Sequence, residues 1–238
     1  MASSPRRVVL HSYWKSSCAW RVRIALNLLG IDYEYKAVHL LRDGGEQFDQ
    51  AFTAHSPMAQ VPLLEVYPPD AASTGASPFR LTQSVAILEY LASSFPSATV
   101  TLYPSEPAVA AAVREIVEVI NAGVQPLQNL AVLRRVKAVA GGDADAADAA
   151  SAAWGAHWVA KGLAAADALV ARHGRDGLAV SAAGGVTAAD VVLVPAALAA
   201  PRFGVDVSAY PHVAAVVARF QDTEAFAKAT PAACPDAA

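Results

Sequence analysis

The chain reads Ser16-Ser17-Cys18-Ala19-Trp20-Arg21-Val22-Arg23 ahead of a segment with helical spacing, in which Val22, Ala25, Leu26 and Leu29 fall at i, i+3, i+4 and i+7. Two hydroxyls and a thiol therefore stand at a helix start. Such a start has unpaired N–H groups and the positive end of the helix dipole, so a hydroxyl or thiol there can steady an anion, above all a thiolate. Taken alone, the stretch has a plainer reading, which is favoured: Ser16 or Ser17 caps the helix and Cys18 is a small buried filler. Cys18 has no cysteine at i+3, so dithiol exchange is not expected.

Two further places carry weak signals of the same kind. Gln60-Val61-Pro62 opens a short apolar run. A cis bond before Pro62 would turn the Val61 N–H and C=O outward to pair with an extended peptide. An ordinary trans proline at a strand start is the expectation for the bond alone. Gln83-Ser84 enters the next helical segment, a second helix start able to hold a carboxylate or simply capped. Together the three describe a thiolate pocket, a backbone clamp and a carboxylate pocket, which suit a small thiol peptide. Other chemistries lack their motifs. There is no phosphate-binding loop, no dinucleotide glycine fingerprint and no nucleophile elbow, and the six histidines show no metal-ligand spacing.

The elements that must position these residues follow from periodicity and breakers. Val8–Ser12, residues 33–41, 63–67 and 80–82 read as strands, and 18–29 and 84–94 as helices, with a short helix ending near Ala54. The order is βαβ, a further helical piece, then ββα. Residues 68–78 form a loop rich in Pro, Ser, Gly and Ala, and 95–104 read as a linker. Beyond the linker only helices are expected: a stripe of Val109, Val113, Ile116 and Ile120, then 127–139, a turn at 141–145, a long helix 149–173, one capped by Thr187 and Asp190, and a last one at 211–220. The domains expected are 1–95, a linker 96–104, and 105–238.

Composition agrees with a folded two-part chain. Of 238 residues 55 % are hydrophobic and 16 % charged, which excludes a disordered chain. Residues 1–100 hold 13 alanines and 101–238 hold 42, so the character changes near the middle. A net charge of −3, from 18 basic and 21 acidic residues, argues against a nucleic-acid surface. No apolar run reaches the length of a membrane span. Two cysteines, Cys18 and Cys234, make no disulfide framework and suit a reducing compartment. Residues 1–31 lack Asp and Glu, as transit peptides do, but strand-like sequence from Val8 favours a cytoplasmic protein.

From about Leu10 to Phe226 the sequence resembles the zeta class of glutathione transferases. The likeness rests on Ser16-Ser17-Cys18 followed by Trp20 to Leu26; on Asp43-Gly44-Gly45 with Gln47-Phe48; and on Pro57-Met58 with Gln60-Val61-Pro62. Gln83-Ser84 with Glu89-Tyr90-Leu91, Gln125 to Leu130, and Thr187 with Ala189-Asp190 and Leu193 to Pro195 extend it. The resemblance implies a glutathione transferase fold, an α/β thioredoxin-like N-terminal domain plus an all-α C-terminal domain, in a homodimer. It implies glutathione as cofactor, held by Ser16, Ser17, Cys18, Ala19, Trp20, Arg21, Gln47, Val61, Gln83 and Ser84, with Gln125, Asn129, Leu130 and Ala131 adding contacts. Arg202 matches the arginine thought to hold a substrate carboxylate, and Ser16, Ser17, Cys18 and Arg202 are the catalytic candidates. The chain departs from the family at Ser56, where Asn is usual, at Ala131, where Ser is usual, and in longer loops at 68–78 and 141–148.

The implied activity is glutathione-dependent cis–trans isomerisation of maleylacetoacetate to fumarylacetoacetate, a step of tyrosine and phenylalanine catabolism, together with glutathione transfer. The partners implied are a small dicarboxylate and glutathione, with no nucleic acid, membrane or metal. Action on α-haloacids or maleylpyruvate, and a non-catalytic binding module, are the competing readings.

Overall fold

The computed structural model describes residues 6–183 and 185–237; residues 1–5 of the stretch compared above with transit peptides lie outside the described residues. The described chain falls into two compact units, one running to Ala98 and taking in Thr223 onward, the other Thr99–Asp222. In the first unit the elements run β1 (Val8–Ser12), α1 (Ser17–Leu28), β2 (Glu34–Ala37), α2 (Gln50–Thr53), β3 (Leu63–Val66), α3 (Ala71–Thr74), β4 (Phe79–Thr82) and α4 (Ser84–Ser94).

Helix α1 buries Val22, Ala25 and Leu26 completely, as its spacing requires. Gly30 ends it in the left-handed region (φ +65°): its N–H donates to Asn27 O at 3.2 Å, and Ile31 N–H to Leu26 O at 2.9 Å. The sheet order is β2-β1-β3-β4, with β1 and β2 parallel and the other pairs antiparallel. The register pairs Ser12 with Ala37, His11 with Leu63, and Leu63 with Thr82. One end of the sheet thus gathers the exits of β1, β2 and β4 and the entry of β3. Ser16, Gln47, Val61 and Gln83-Ser84 all follow or precede those strand ends. Tyr13, Val38, Phe52, Val61 and Leu63 pack into a buried cluster there.

The structure corrects two sequence expectations in this unit. Strand β2 ends at Ala37 rather than 41, because β1 offers no ladder partner beyond Ser12, whose C=O accepts from Val38 N–H at 2.8 Å. The chain then coils through two 3-10 turns in which Asp43, Gly44 and Gly45 adopt positive φ. The loop 68–78 contains the helical turn α3, closed by Gly75 at φ +67°.

The second unit is helical: α5 (Pro107–Gly123), α6 (Leu130–Ala140), α7 (Ala144–His173), α8 (Ala188–Ala199) and α9 (Pro211–Phe220). Helix α6 starts at Leu130, three residues later than expected, because Asn129 caps it, its Oδ1 accepting from Ala131 N–H at 3.0 Å. Helix α7 starts at Ala144, five residues early. Asp143 caps it through Ala146 N–H (2.9 Å), and the alanines that follow favour helix. Gly162 lets α7 approach α5 closely, since a Cβ there would overlap Val124.

Residues 223–237, including α10 (Glu224–Ala227), were expected with the helical domain 105–238 but belong to the first unit. The reason lies in α1: Arg23 Nε donates to Ala229 O at 3.0 Å and Asn27 Nδ2 to Ala225 O at 2.9 Å. Among the described residues no helix is long and apolar enough to cross a membrane, and no group of three or more His, Cys, Asp or Glu is placed to hold a metal.

At the start of α8 the buried Asp190 accepts from Ala179 N–H (2.7 Å), Thr187 N–H (2.8 Å) and Thr187 Oγ1–H (2.9 Å). Burial nonetheless pushes its carboxyl up to about 6 from 3.8. A carboxyl that holds its proton better in the folded state contributes fully below about pH 4, and that contribution is lost as pH rises through about 6. The stability advantage of the native chain over Asp190→Asn is expected to shrink by roughly 2 kcal/mol between pH 4 and pH 7. Urea denaturation at the two pH values checks this, and an advantage that grows with pH would contradict it.

Candidate active site

Ser16 is the residue before α1, in extended backbone (φ −73°, ψ 114°), and its Oγ accepts from Ala19 N–H at 3.2 Å. The capping reading therefore holds for its oxygen, which leaves the hydroxyl hydrogen to donate elsewhere. Of its neighbours, Ser17, Ala19 and Trp20 are buried while Ser16 and Cys18 are half-buried. Access to a ligand at this helix start thus falls to Ser16 and Cys18 rather than Ser17.

Arg21, one turn on, is fully buried, and its Nη1 donates to Ser84 Oγ at 3.1 Å. That bond ties the first turns of α1 to the first residue of α4. Gln83, just before it, has φ +71° and ψ 112°, backbone that a residue with a Cβ rarely adopts and that is concentrated at functional sites. Its side chain is exposed and makes no capping bond, so α4 starts with unmet N–H donors.

The Val61–Pro62 bond is cis, where the bond alone favours trans. Among the described residues the Val61 N–H and C=O make no hydrogen bond, although the side chain is buried in the cluster at the sheet end. Gln47 is also buried. Its Nε2 donates to Leu40 O at 3.3 Å, and its Oε1 has no partner among the described residues. Gly45 (φ +114°) makes room for it, because a Cβ there would stand 2.5 Å from the Gln47 amide. The first unit therefore offers a hydroxyl at the capped start of α1, a start of α4 without a side-chain cap, a free length of backbone and an unmet amide oxygen. This set can hold an extended ligand with a carboxylate, peptide groups and a sulfur anion.

The remaining candidates lie in the second unit. Asn129 is occupied in capping α6; Leu130 and Ala131 are exposed at its start, and Gln125 is half-buried in the turn between α5 and α6. Arg202 is exposed on a 3-10 turn, Ala200–Phe203, with Nε donating to Ala199 O at 3.4 Å. Helix α7 joins these pieces. Trp154 Nε1 donates to Leu127 O at 2.9 Å, and a Cβ on Gly155 would stand 2.8 Å from the Phe203 ring.

Sequence reasoning missed what supports the loop 13–16. Arg23 is buried, and its guanidinium donates to Ser12 Oγ (3.0 Å) and to the carbonyls of Tyr13 (3.5 Å) and Trp14 (3.3 Å). The signal was present: two arginines stand within an apolar helical segment, and residues 1–31 hold no carboxylate to pair with them.

The family model of the glutathione S-transferase N-terminal domain matches residues 15–94. The chain is 38 % identical to the maleylacetoacetate isomerase of Rattus norvegicus over 96 % of this chain and 94 % of that protein. The solved maleylacetoacetate isomerase of Anaeromyxobacter dehalogenans 2CP-1, with glutathione bound in the active site, superposes with a TM-score of 0.82 at 37 % identity, over 99 % of this chain and 100 % of that one. A second structure of that enzyme, with dicarboxyethyl glutathione and citrate bound, gives 0.81 at 35 % identity, over 99 % of each chain. A maleylpyruvate isomerase, described as a bacterial glutathione S-transferase of the zeta class, gives 0.83 at 35 %, over 97 % of this chain and 100 % of that one. The chain belongs to the zeta class of glutathione transferases.

In this zeta-class chain Ser56 does the work of closing the loop ahead of Val61. Its Oγ–H donates to Gln60 O at 2.8 Å, and its Oγ accepts from Gln60 N–H at 3.3 Å. The Arg21–Ser84 bond is the other local support, and it joins a buried cation to a buried hydroxyl. Ser84→Ala is expected to cost about 2 kcal/mol of stability, as for a bond to a charged donor. Urea denaturation measures it; an unchanged midpoint would show that the bond contributes nothing.

Proposed function

We propose that this enzyme is a glutathione-dependent cis–trans isomerase that converts maleylacetoacetate to fumarylacetoacetate and also transfers glutathione. The observation that carries the reading is Ser16 at the start of α1, with its oxygen occupied by Ala19 N–H and its hydrogen available. The first unit fits glutathione in its own terms. Gln47 Oε1 is a buried acceptor that wants a donor, Val61 offers a free N–H and C=O, and the start of α4 at Ser84 offers N–H groups for a carboxylate.

Glutathione, when bound, supplies a sulfur nucleophile that adds to the cis double bond and departs once the bond has turned. A thiol like that of free cysteine, with pKa near 8.5, is mostly protonated at neutral pH. Ser16 donates its hydroxyl hydrogen toward the sulfur, and the positive end of α1 adds to the field, so the ionised form is favoured. Cys18 lines the same turn. Val61 holds the peptide backbone, and Ser84, kept in place by Arg21, receives a carboxylate at the α4 start. For Gln125 and Asn129 to Ala131 a part in holding glutathione rests on the family likeness alone. Arg202 binds a carboxylate of the substrate.

Maleylpyruvate is the second reading of the substrate, supported by the likeness to the zeta-class maleylpyruvate isomerase. Turnover of maleylacetone and maleylpyruvate side by side, with and without glutathione, decides between them; no glutathione dependence on either would overturn the reading. A cytoplasmic setting is supported by two free cysteines, Cys18 and Cys234, and cell fractionation tests it. The homodimer rests on the family likeness, and a light-scattering mass of one chain would contradict it.

Ser16→Ala is expected to lower kcat about a hundredfold with the fold intact, the scale of losing one donor to a developing anion. Near-normal turnover would pass the role to Cys18. Arg202→Ala is expected to raise KM for the dicarboxylate about tenfold to a hundredfold, from the loss of a charge-assisted hydrogen bond. Glutathione affinity should be unchanged, so an equal loss in both would count against the assignment.

A further inference from the structure

The loop 13–16 sets where Ser16 stands, and two side chains from outside it hold its backbone. Inside the loop, Ser16 N–H donates to Tyr13 O at 2.9 Å. The Trp14 C=O accepts from Arg23 Nη2 at 3.3 Å. The Trp14 N–H donates to Asp236 Oδ2 at 3.2 Å. The other oxygen of Asp236 accepts from Tyr35 Oη at 2.6 Å, which fixes the carboxylate against β2. Asp236 is itself placed by the segment after α10, whose Ala229 C=O accepts from Arg23 Nε and whose Thr230 C=O accepts from the buried Cys234 thiol at 3.4 Å. Burial pushes the Cys234 thiol and the Tyr35 hydroxyl up, so both stay protonated as donors.

From these contacts we infer that Asp236 is a positioning residue for Ser16. It grips the backbone two residues before the hydroxyl and fixes the turn that aims it. The inference rests on the proposed role of Ser16. A carboxylate suits this place because one oxygen serves the loop while the other is locked by Tyr35; an amide can repeat the pattern, with its oxygen toward Trp14 N–H and its NH2 toward Tyr35 Oη. An alanine cannot.

The test compares Asp236→Ala, Asp236→Asn and Tyr35→Phe with Ser16→Ala in the full chain. The readouts are the pKa of bound glutathione from its ultraviolet thiolate absorbance, its dissociation constant, and the exchange rate of the Trp14 amide in the glutathione-free protein. Asp236→Ala is expected to raise the thiol pKa by about one unit, which cuts the ionised fraction about tenfold at a pH below that pKa. It should also speed exchange at Trp14. Asp236→Asn should restore both, and Tyr35→Phe should shift both in the same direction by less. A purely structural role would lower the melting temperature and leave the thiol pKa in place. A pKa shift in Ser16→Ala without one in Asp236→Ala overturns this inference alone. No shift in either overturns the reading of Ser16 and this inference with it.

Discussion

Two guanidinium groups lie in the interior of the first unit, on Arg21 and Arg23, and no carboxylate in the first 31 residues is there to meet them. A buried charge is tolerated only when hydrogen bonds replace its water. Burial does push the Arg23 guanidinium down from its ordinary value. Its donors go to neutral oxygens: the Ser12 hydroxyl and the carbonyls of Tyr13, Trp14 and Ala229. A carboxylate partner would have satisfied the cation and left the loop free. Carbonyl partners instead tie the backbone itself, so desolvating Arg23 fixes the loop that carries Ser16. Arg21 reaches the α4 start through a side chain instead, the Ser84 hydroxyl.

The sheet register makes those two anchors act on one place. Because β1 and β2 are parallel and β3 and β4 antiparallel to their neighbours, four chain ends meet at one edge of four strands. This much was legible in the sequence: the βαβ and ββα order, the helix starts at Ser16 and Ser84, and the glycines at 44 and 45 all follow from local periodicity and turn chemistry. What failed to be legible was decided by distant partners. The end of β2 depends on where β1 stops. The cis bond before Pro62 is not legible in the dipeptide, because the X–Pro preference for trans is only about 0.5–1 kcal/mol. Residues 223–237 read as part of a helical domain, and bonds from Arg23, Asn27, Trp14 and Tyr35, all distant in sequence, tie them to the first unit.

On the proposed reading, the sulfur must attack and then leave, which limits how strongly the protein should hold its anion. Thiol nucleophilicity falls as pKa falls, with a Brønsted slope of about 0.4–0.5, while leaving-group ability improves. A hydroxyl donor at a helix start gives a moderate field that serves both steps. The nearby cations are arranged consistently with this. Lys15, next to Ser16, has its ammonium over the Trp14 ring at 4.3 Å, and Arg21 and Arg23 give donors to Ser84 and to backbone.

The second unit shows how an alanine-rich sequence can hold the turns that carry Gln125 and Arg202. Gly155 and Gly162 stand seven residues apart on the buried face of α7, and each marks a contact that a methyl group would disturb: the Phe203 ring at one, Val124 at the other. Val124 leads directly into Gln125, and Phe203 follows Arg202. The alanines around them supply helix propensity with little side-chain volume, so they can change without moving either turn. The constraint on this helix is therefore steric and confined to a few positions on one face. The rest of its sequence is free to diverge while the spacing between the turn after α5 and the turn bearing Arg202 is kept.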